Sequence, residues 1–304
     1  MSDNIAVQSP TVLADMGVAQ RAEGLASRLG KLATLARQNP LGTVGLIIIV
    51  TFVFAAIFAS WIAPYSPTAL SGDPDQGLSS AHIFGTERIG RDIFSRSLYG
   101  GRVSLSVAII SVMLGGSVGM IVGIISGYSG GAIDSSIQRS VDTAIAFPPL
   151  LLLLIITTVL GPSYRTIVFA LTLAVIPGVI RIVRGAVLSE KNNQYVEAAR
   201  ASGAAGPRIV LRHLLPNVVA LGIIVMTTLL GGIILAEAAL SFLGLGIPNA
   251  ASWGRDVSDA RSSFPYHIPS ALFPGAAITL TVLGFNVLGD SIRDIADPRL
   301  RGSR

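Results

Sequence analysis

The sequence predicts an all-α membrane protein, a bundle of about six transmembrane helices, on three observations. Of its 304 residues 51% are hydrophobic and only 13% charged, with mean hydropathy +0.67. A soluble domain carries about 25% charged residues, roughly twice this share. Second, residues 41–63, 103–133, 143–164, 214–236 and 262–289 contain no Asp, Glu, Lys or Arg. Each run covers or exceeds the ~20 residues that cross ~30 Å of hydrocarbon as a helix. A sixth, shorter run, 166–180, lies between Arg165 and Arg181, whose stems can snorkel to the two interfaces. Third, with the N-terminus inside, 15 of the 22 basic residues fall in cytoplasmic segments, as the positive-inside rule requires. The net charge of +5 therefore reports topology; a nucleic-acid face would be one continuous basic patch on a soluble fold.

The elements follow in order. Residues 1–38 are polar. Leu25, Leu29, Leu32 and Ala36 recur at helical spacing, with Arg21, Arg28 and Lys31 on a flank. This reads either as an amphipathic helix on the cytoplasmic membrane surface or as a loosely ordered leader. The first 40 residues hold no apolar core of a signal peptide, so 41–63 is expected to act as an uncleaved anchor. Residues 39–102 comprise this span and an external stretch rich in Pro, Gly, Ser and Asp. Residues 103–291 form the transmembrane core.

The second span carries Ser111, Gly115, Gly119, Gly123 and Gly127, each four apart. Such a row lets another helix approach at backbone distance, where dispersion and Cα–H contacts hold helices together in lipid. The pattern leaves open whether the partner helix belongs to this chain or to another subunit. The third span is expected to kink at Phe147-Pro148-Pro149, and the fourth to break near Pro177-Gly178. The apolar stretch 214–246 would be ~50 Å long as one helix, so 238–246 is expected to form a separate short helix at the external mouth. Glu237 just before this segment, and Ser241 and Phe242 within it, are candidates for a gate or pore lining, because an ionisable group at membrane depth is a functional hypothesis. Glu237 could equally cap a gate helix or pair with an arginine. A basic tail, 292–304, closes the chain on the cytoplasmic side.

Several chemistries are disfavoured. Gly127-Tyr128-Ser129-Gly130-Gly131 fits G-x-S-x-G but ends a membrane helix, whereas the hydrolase motif needs a strand–turn–helix elbow with a downstream His and acid. Neither of the two lysines, Lys31 and Lys191, sits in the G-x-x-x-x-G-K-[ST] loop that cradles phosphates, so ATP would have to be bound by another protein. His82, His213 and His267 are scattered, with no ligand spacing, and there are no cysteines; no metal site is expected.

The internal polar loop, about 190–216, is the informative segment. Tyr195–Ala201 is composed of good helix formers, Ser202-Gly203 is a breaker pair, and a second helix is entered near Pro207. A helix–Gly–helix elbow of this kind offers a rigid knob to a partner. Glu197-Ala198-Ala199-x3-Gly203, followed by Arg212-His213-x-Leu215-Pro216, resembles the EAA loop of binding-protein-dependent ABC importer permeases, in its dipeptide, oligopeptide and nickel branch. Other segments are similar to that branch as well: Gly85-Thr86 with Gly90-Arg91-Asp92, Ala146-Phe147-Pro148, Leu240-Ser241-Phe242-Leu243-Gly244, Ser252-Trp253-Gly254, and Asp297-Pro298-Arg299-Leu300. Together they cover roughly residues 40–302 and indicate the C-type subunit.

The resemblance implies the type I importer permease fold and a non-catalytic role. Glu197, Ala198, Ala199, Gly203, Arg212, His213 and Pro216 would couple to two ATPase subunits, which bind the ATP and Mg. A related B-type permease would supply the other half of the pore, and an extracytoplasmic binding protein would deliver solute at the bacterial inner membrane. Peptides are the first expectation; a nickel chelate, glutathione or an oligosaccharide is the alternative. Two rival classes fit less well. An ion-coupled secondary transporter shows inverted repeats and membrane-embedded acids, and only Glu237 and Asp290 approach that description. A passive anchor has no use for paired breakers and a small-residue ridge.

Overall fold

The computed structural model describes residue 37 and residues 39–296. The amphipathic helix expected before residue 37 and the tail beyond residue 296 lie outside the described residues. Helix α1 (Pro40–Ile57) opens on a proline, whose fixed φ suits the first helical turn. It is apolar all round and buries only Gly42, Gly45, Ile49 and Ala56. A one-turn helix, α2 (Ala59–Ile62), continues it. Residues 64–92 then form an irregular lobe, in which the only bridges among the described residues are Leu70–Arg91 and Thr86–Asp92.

Helix α3 (Ile93–Ser129) starts ten residues before the expected span, because the Asp92 side chain caps it by accepting from the Ser95 N–H at 2.7 Å. It ends at Gly130, with φ of +65°. Next come α4 (Gly131–Ala146) and α5 (Pro149–Leu160), bent by 85°. The bend falls where the sequence places it. Phe147 and Pro148 are extended, with ψ of 131° and 125°, and two successive prolines remove the N–H groups that would carry the helix through.

Helix α6 (Tyr164–Glu190) is capped by Ser163, which accepts from the Thr166 N–H. The break expected at Pro177-Gly178 does not occur; the helix runs through both residues. Val175 and Val179, on either side of Pro177, are each wedged against a glycine of α3, and this packing keeps the helix continuous despite the lost backbone bond.

A short α7 (Gln194–Ala201) and a turn of helix, α8 (Gly206–Ile209), lead through a wide turn (Val210–Leu214) into α9 (Leu215–Leu240), which ends in a second wide turn (Ser241–Leu245). The first widening has a visible cause. Pro216 cannot donate to the Arg212 carbonyl, and the Leu215 N–H bonds five residues back, to the Val210 carbonyl. Gly206–Leu245 is thus one 40-residue helical run that leaves helical geometry at Gly244, with φ of +87°, and the separate helix expected at 238–246 is absent. The separate short helix at that end is instead α10 (Trp253–Ala260), which precedes α11 (Pro269–Ala296).

Among the described residues five helices are long and apolar enough to cross a membrane, and the bent pair α4–α5 can supply a sixth crossing. The ridge residues decide that the pair does cross. A Cβ at Gly115, Gly119, Gly123 or Gly127 would stand 2.7–2.8 Å from the Cβ of Val175, Val179, Val183 or Val187 respectively. The offset is constant and ascending, so α3 and α6 run parallel. Two consecutive spans can be parallel only if the chain recrosses between them. The same contacts place the ridge's partner helix within this chain. The core follows this seam, with Val107, Val112, Leu171, Val179, Val183 and Val187 all buried.

Candidate functional site

The elbow stands clear of one end of the bundle. Glu197 lies in the first turn of α7 and Arg200 in the last, each complementing the helix dipole. The helix closes in a Schellman turn, with Gly203 N–H on the Arg200 carbonyl (2.9 Å) and Ala204 N–H on the Ala199 carbonyl (3.0 Å). Gly203 takes φ of +79°, the left-handed region a glycine adopts cheaply, as the breaker pair predicts. Glu197, Ala198, Gly203, Arg212 and Pro216 are exposed, whereas Ala199 and His213 are half-buried.

Three buried side chains root the knob: Val196, Ile209 and Leu214, at 0%, 2% and 0% exposure. Tyr195 adds a brace that sequence reasoning missed. Its hydroxyl donates to Glu190 at the end of α6 and accepts from Asn217 of α9 (3.1 Å). Lys191 donates to the Gly127 carbonyl (2.8 Å), and Arg184 makes a two-pronged pair with Asp134 (2.6 Å each). These bonds fasten α3, α4 and α6 together directly behind the elbow. Their partners lie 50 and 64 positions apart in sequence, so no local pattern could have shown them. Leu211, 65% exposed beside Arg212, is an apolar surface residue of the elbow that periodicity did not single out.

At the far end, the three candidates for a gate separate. Glu237 and Ser241 lie inside the bundle, at 0% and 3% exposure. Ser241 lines a small cavity with Pro162, Gly244 and Pro248, and among the described residues no arginine pairs with Glu237. Ser104 donates to one carboxylate oxygen (2.9 Å) and Ser241 to the other (2.8 Å). The same Ser104 hydroxyl accepts from the Trp253 backbone N–H (3.3 Å), while the indole N–H donates to the Ser97 carbonyl (2.8 Å). The glutamate therefore anchors α10 to α3 and α9. Phe242 alone reaches the surface, 38% exposed, with the Arg261 guanidinium 4.6 Å from its ring centroid.

Beside this anchor a cavity of about 340 Å³ is lined by Glu87, Arg91, Arg96, Arg255, Asp256 and Asp259 among others. Arg96 pairs with Asp256 and lies 3.6 Å from Glu87 and 3.7 Å from Asp259. Burial pushes the Asp256 carboxyl up to about 6, against the opposing pull of Arg96. The network ties the 64–92 lobe to α10. Among the described residues no group of acids, histidines or cysteines could hold a metal ion.

Six crossings, a small-residue seam and a braced knob at one end define a multi-pass helical membrane protein. The chain belongs to the family described as the binding-protein-dependent transport system inner membrane component, matched over residues 119–302, and residues 36–81 match the N-terminal TM domain of oligopeptide transport permease C. It is 40% identical to a putative peptide transport system permease protein of Brucella suis biovar 1, over 85% of this chain and 88% of the relative. It is likewise 40% identical to a glutathione transport system permease protein of Escherichia coli O6:K15:H31, over 88% of each. The chain is accordingly a multi-pass permease subunit of an ABC importer, a non-catalytic component whose ATP is hydrolysed by partner subunits.

Proposed function

We propose that this subunit forms half of a passage for short peptides, or for a peptide-like solute such as glutathione, and that the elbow is its contact with the ATPase subunits. The observation that carries the reading is mechanical. The elbow is rooted by buried side chains, and past the turn at 202–205 the chain runs on as the long helical segment Gly206–Leu245, so a displacement of the knob is passed toward the far end. Glu197, Ala198, Gly203, Arg212 and Pro216, with Ala199 and His213 beneath them, form the docking face, and Leu211 adds apolar contact. ATP and Mg are held by the ATPases. Their closure carries the elbow, and the rods of this chain and of a related B-type permease rock to open the passage on the opposite side. There a binding protein delivers solute, with Phe242 at the mouth as a gate residue. Both termini and the elbow face the cytoplasm.

Peptide-type cargo is supported by the names of the two relatives and by the scarcity of fixed charge in the spans, which suits neutral or zwitterionic solutes. The complete complex, reconstituted with its binding protein, takes up a labelled dipeptide or glutathione only when ATP is on the side of the ATPases. Uptake by this chain alone, or uptake driven by an ion gradient, would sink the reading. ATP-driven uptake of a nickel chelate or an oligosaccharide instead would remove only the cargo assignment.

The orientation has its own check, made clean by the cysteine-free sequence. Single-cysteine variants at the exposed positions Ser80 and Ser262 should react with an impermeant maleimide from outside intact cells. Ser202→Cys, on the elbow, should react only after permeabilisation. Labelling of Ser202→Cys from outside would invert the topology and remove the elbow from the ATPases.

A further inference from the structure

An apolar cavity of about 270 Å³ opens between α1, α3 and α11 at the end opposite the elbow. Its walls are fixed in place. Phe84 stacks on Phe273 (3.7 Å between centroids) and meets Phe94 edge-on (5.1 Å), while Phe52 meets Trp253 edge-on (5.6 Å). Ala55, Ala56, Leu98, Ala276, Ala277 and Leu280 add aliphatic lining, with Ser97 the one hydroxyl among the lining side chains. Leu280 is exposed, as are Phe54 and Ile57 on α1, so the cavity is continuous with the bundle's apolar outer surface. Next to Gly101, which also lines it, stands Arg102. This guanidinium donates to the last carbonyls of α1, Ala56 (3.0 Å) and Ile57 (2.8 Å), and lies 5.4 Å from the centroid of the Tyr99 ring. Those bonds use Nε and Nη2. Nη1 and the charge remain available, and among the described residues no carboxylate pairs with Arg102.

We propose that this cavity holds one acyl chain of an anionic membrane phospholipid whose phosphate rests on Arg102. A lipid tail gains nothing from leaving water, because it is already in hydrocarbon. It gains dispersion contacts with fixed aromatic walls and fills a space that the bundle cannot close. Selectivity among lipids then comes from the headgroup, since Arg102 follows the lining residue Gly101 and bonds the carbonyl of Ala56, another lining residue, which sets its charge at the rim of the cavity. The α1 seam is thin, resting on Gly42, Gly45, Ile49 and Ala56. The lipid therefore serves as a structural wedge that holds α1 against α3 and α11.

The test uses the assembled importer in nanodiscs of phosphatidylglycerol or of phosphatidylcholine with the same chains. Lipids retained on extraction are counted by native mass spectrometry. The parent should retain phosphatidylglycerol over phosphatidylcholine by about fivefold, the factor corresponding to about 1 kcal/mol for one basic residue at an anionic surface. Arg102→Gln should abolish that preference and Arg102→Lys should keep most of it. Because Arg102→Gln also removes the tie to α1, a second variant separates the effects. Ala276→Phe, which fills the cavity and leaves Arg102 in place, should lose the retained lipid whatever its headgroup. An unchanged preference in Arg102→Gln, or an unchanged lipid count in Ala276→Phe, would overturn the proposal. A high-yield cross-link from Ala276→Cys to the partner permease would overturn it too, by showing a protein segment in the cavity.

Discussion

Gly203→Val is expected to leave the importer assembled and to abolish the stimulation of its ATPase by loaded binding protein. A Cβ at Gly203 meets no atom within 4 Å, so the variant creates no clash. The obstacle is the backbone. At φ of +79° an L-residue costs about 1–2 kcal/mol, and a β-branched one sits at the upper end of that range or beyond it. That corresponds to about a five- to thirtyfold loss of the native elbow population. The roots of the knob, Val196, Ile209 and Leu214, are untouched, so insertion and assembly persist. Asn, which tolerates the left-handed region, should retain most of the stimulation, and Ala should fall between. A Val variant that assembles and is stimulated normally would show that the elbow does not transmit the signal.

The second large effect lies in the α3–α6 seam. Gly119→Val should prevent a stable subunit from accumulating, and Gly119→Ala should lower its unfolding midpoint, by the ~1–3 kcal/mol typical of an overpacked core. The new Cβ would stand 2.7 Å from Val179 Cβ and 3.1 Å from the Ile176 carbonyl oxygen, a collision with backbone-level atoms that no rotamer can avoid. The compensating change is specific. Gly119→Ala combined with Val179→Gly moves the small residue to the facing helix, and it should recover part of the loss, with a coupling of about 0.5–3 kcal/mol in a double-mutant cycle. If Gly119→Val accumulates and melts like the parent, the seam is looser than the structure shows.

The spans were legible because lipid leaves a helix little choice. Each needs about twenty apolar residues, and the charge-free runs mark them. The elbow was legible because Gly203 occupies a backbone conformation that constrains residue type. The ridge announced close packing, but only the offset of its valines revealed which helix it meets. Pro177 misled for a physical reason: a proline's local cost was overridden by Val175 and Val179, anchored on both sides of it. Glu237 misled differently. A lone acid in an apolar run has no sequence marker for its partners, and Ser104, which sits 133 positions away, looks like any other serine. The bonds of Lys191 to Gly127 and of Asp134 to Arg184 behind the elbow were hidden for the same reason.

The parallel seam also sets an order on the protein's own biosynthesis. Every glycine of the ridge meets a valine made sixty residues later, as Gly115 meets Val175 and Gly127 meets Val187. At about 5–20 residues per second, a ribosome needs about 3–12 s to deliver that partner. For that interval α3 lies in the bilayer with its backbone groove bare, while the bent pair is still crossing. A chain stalled within that interval displays an unfilled glycine face, a mark by which membrane quality control could tell an unfinished permease from a completed one.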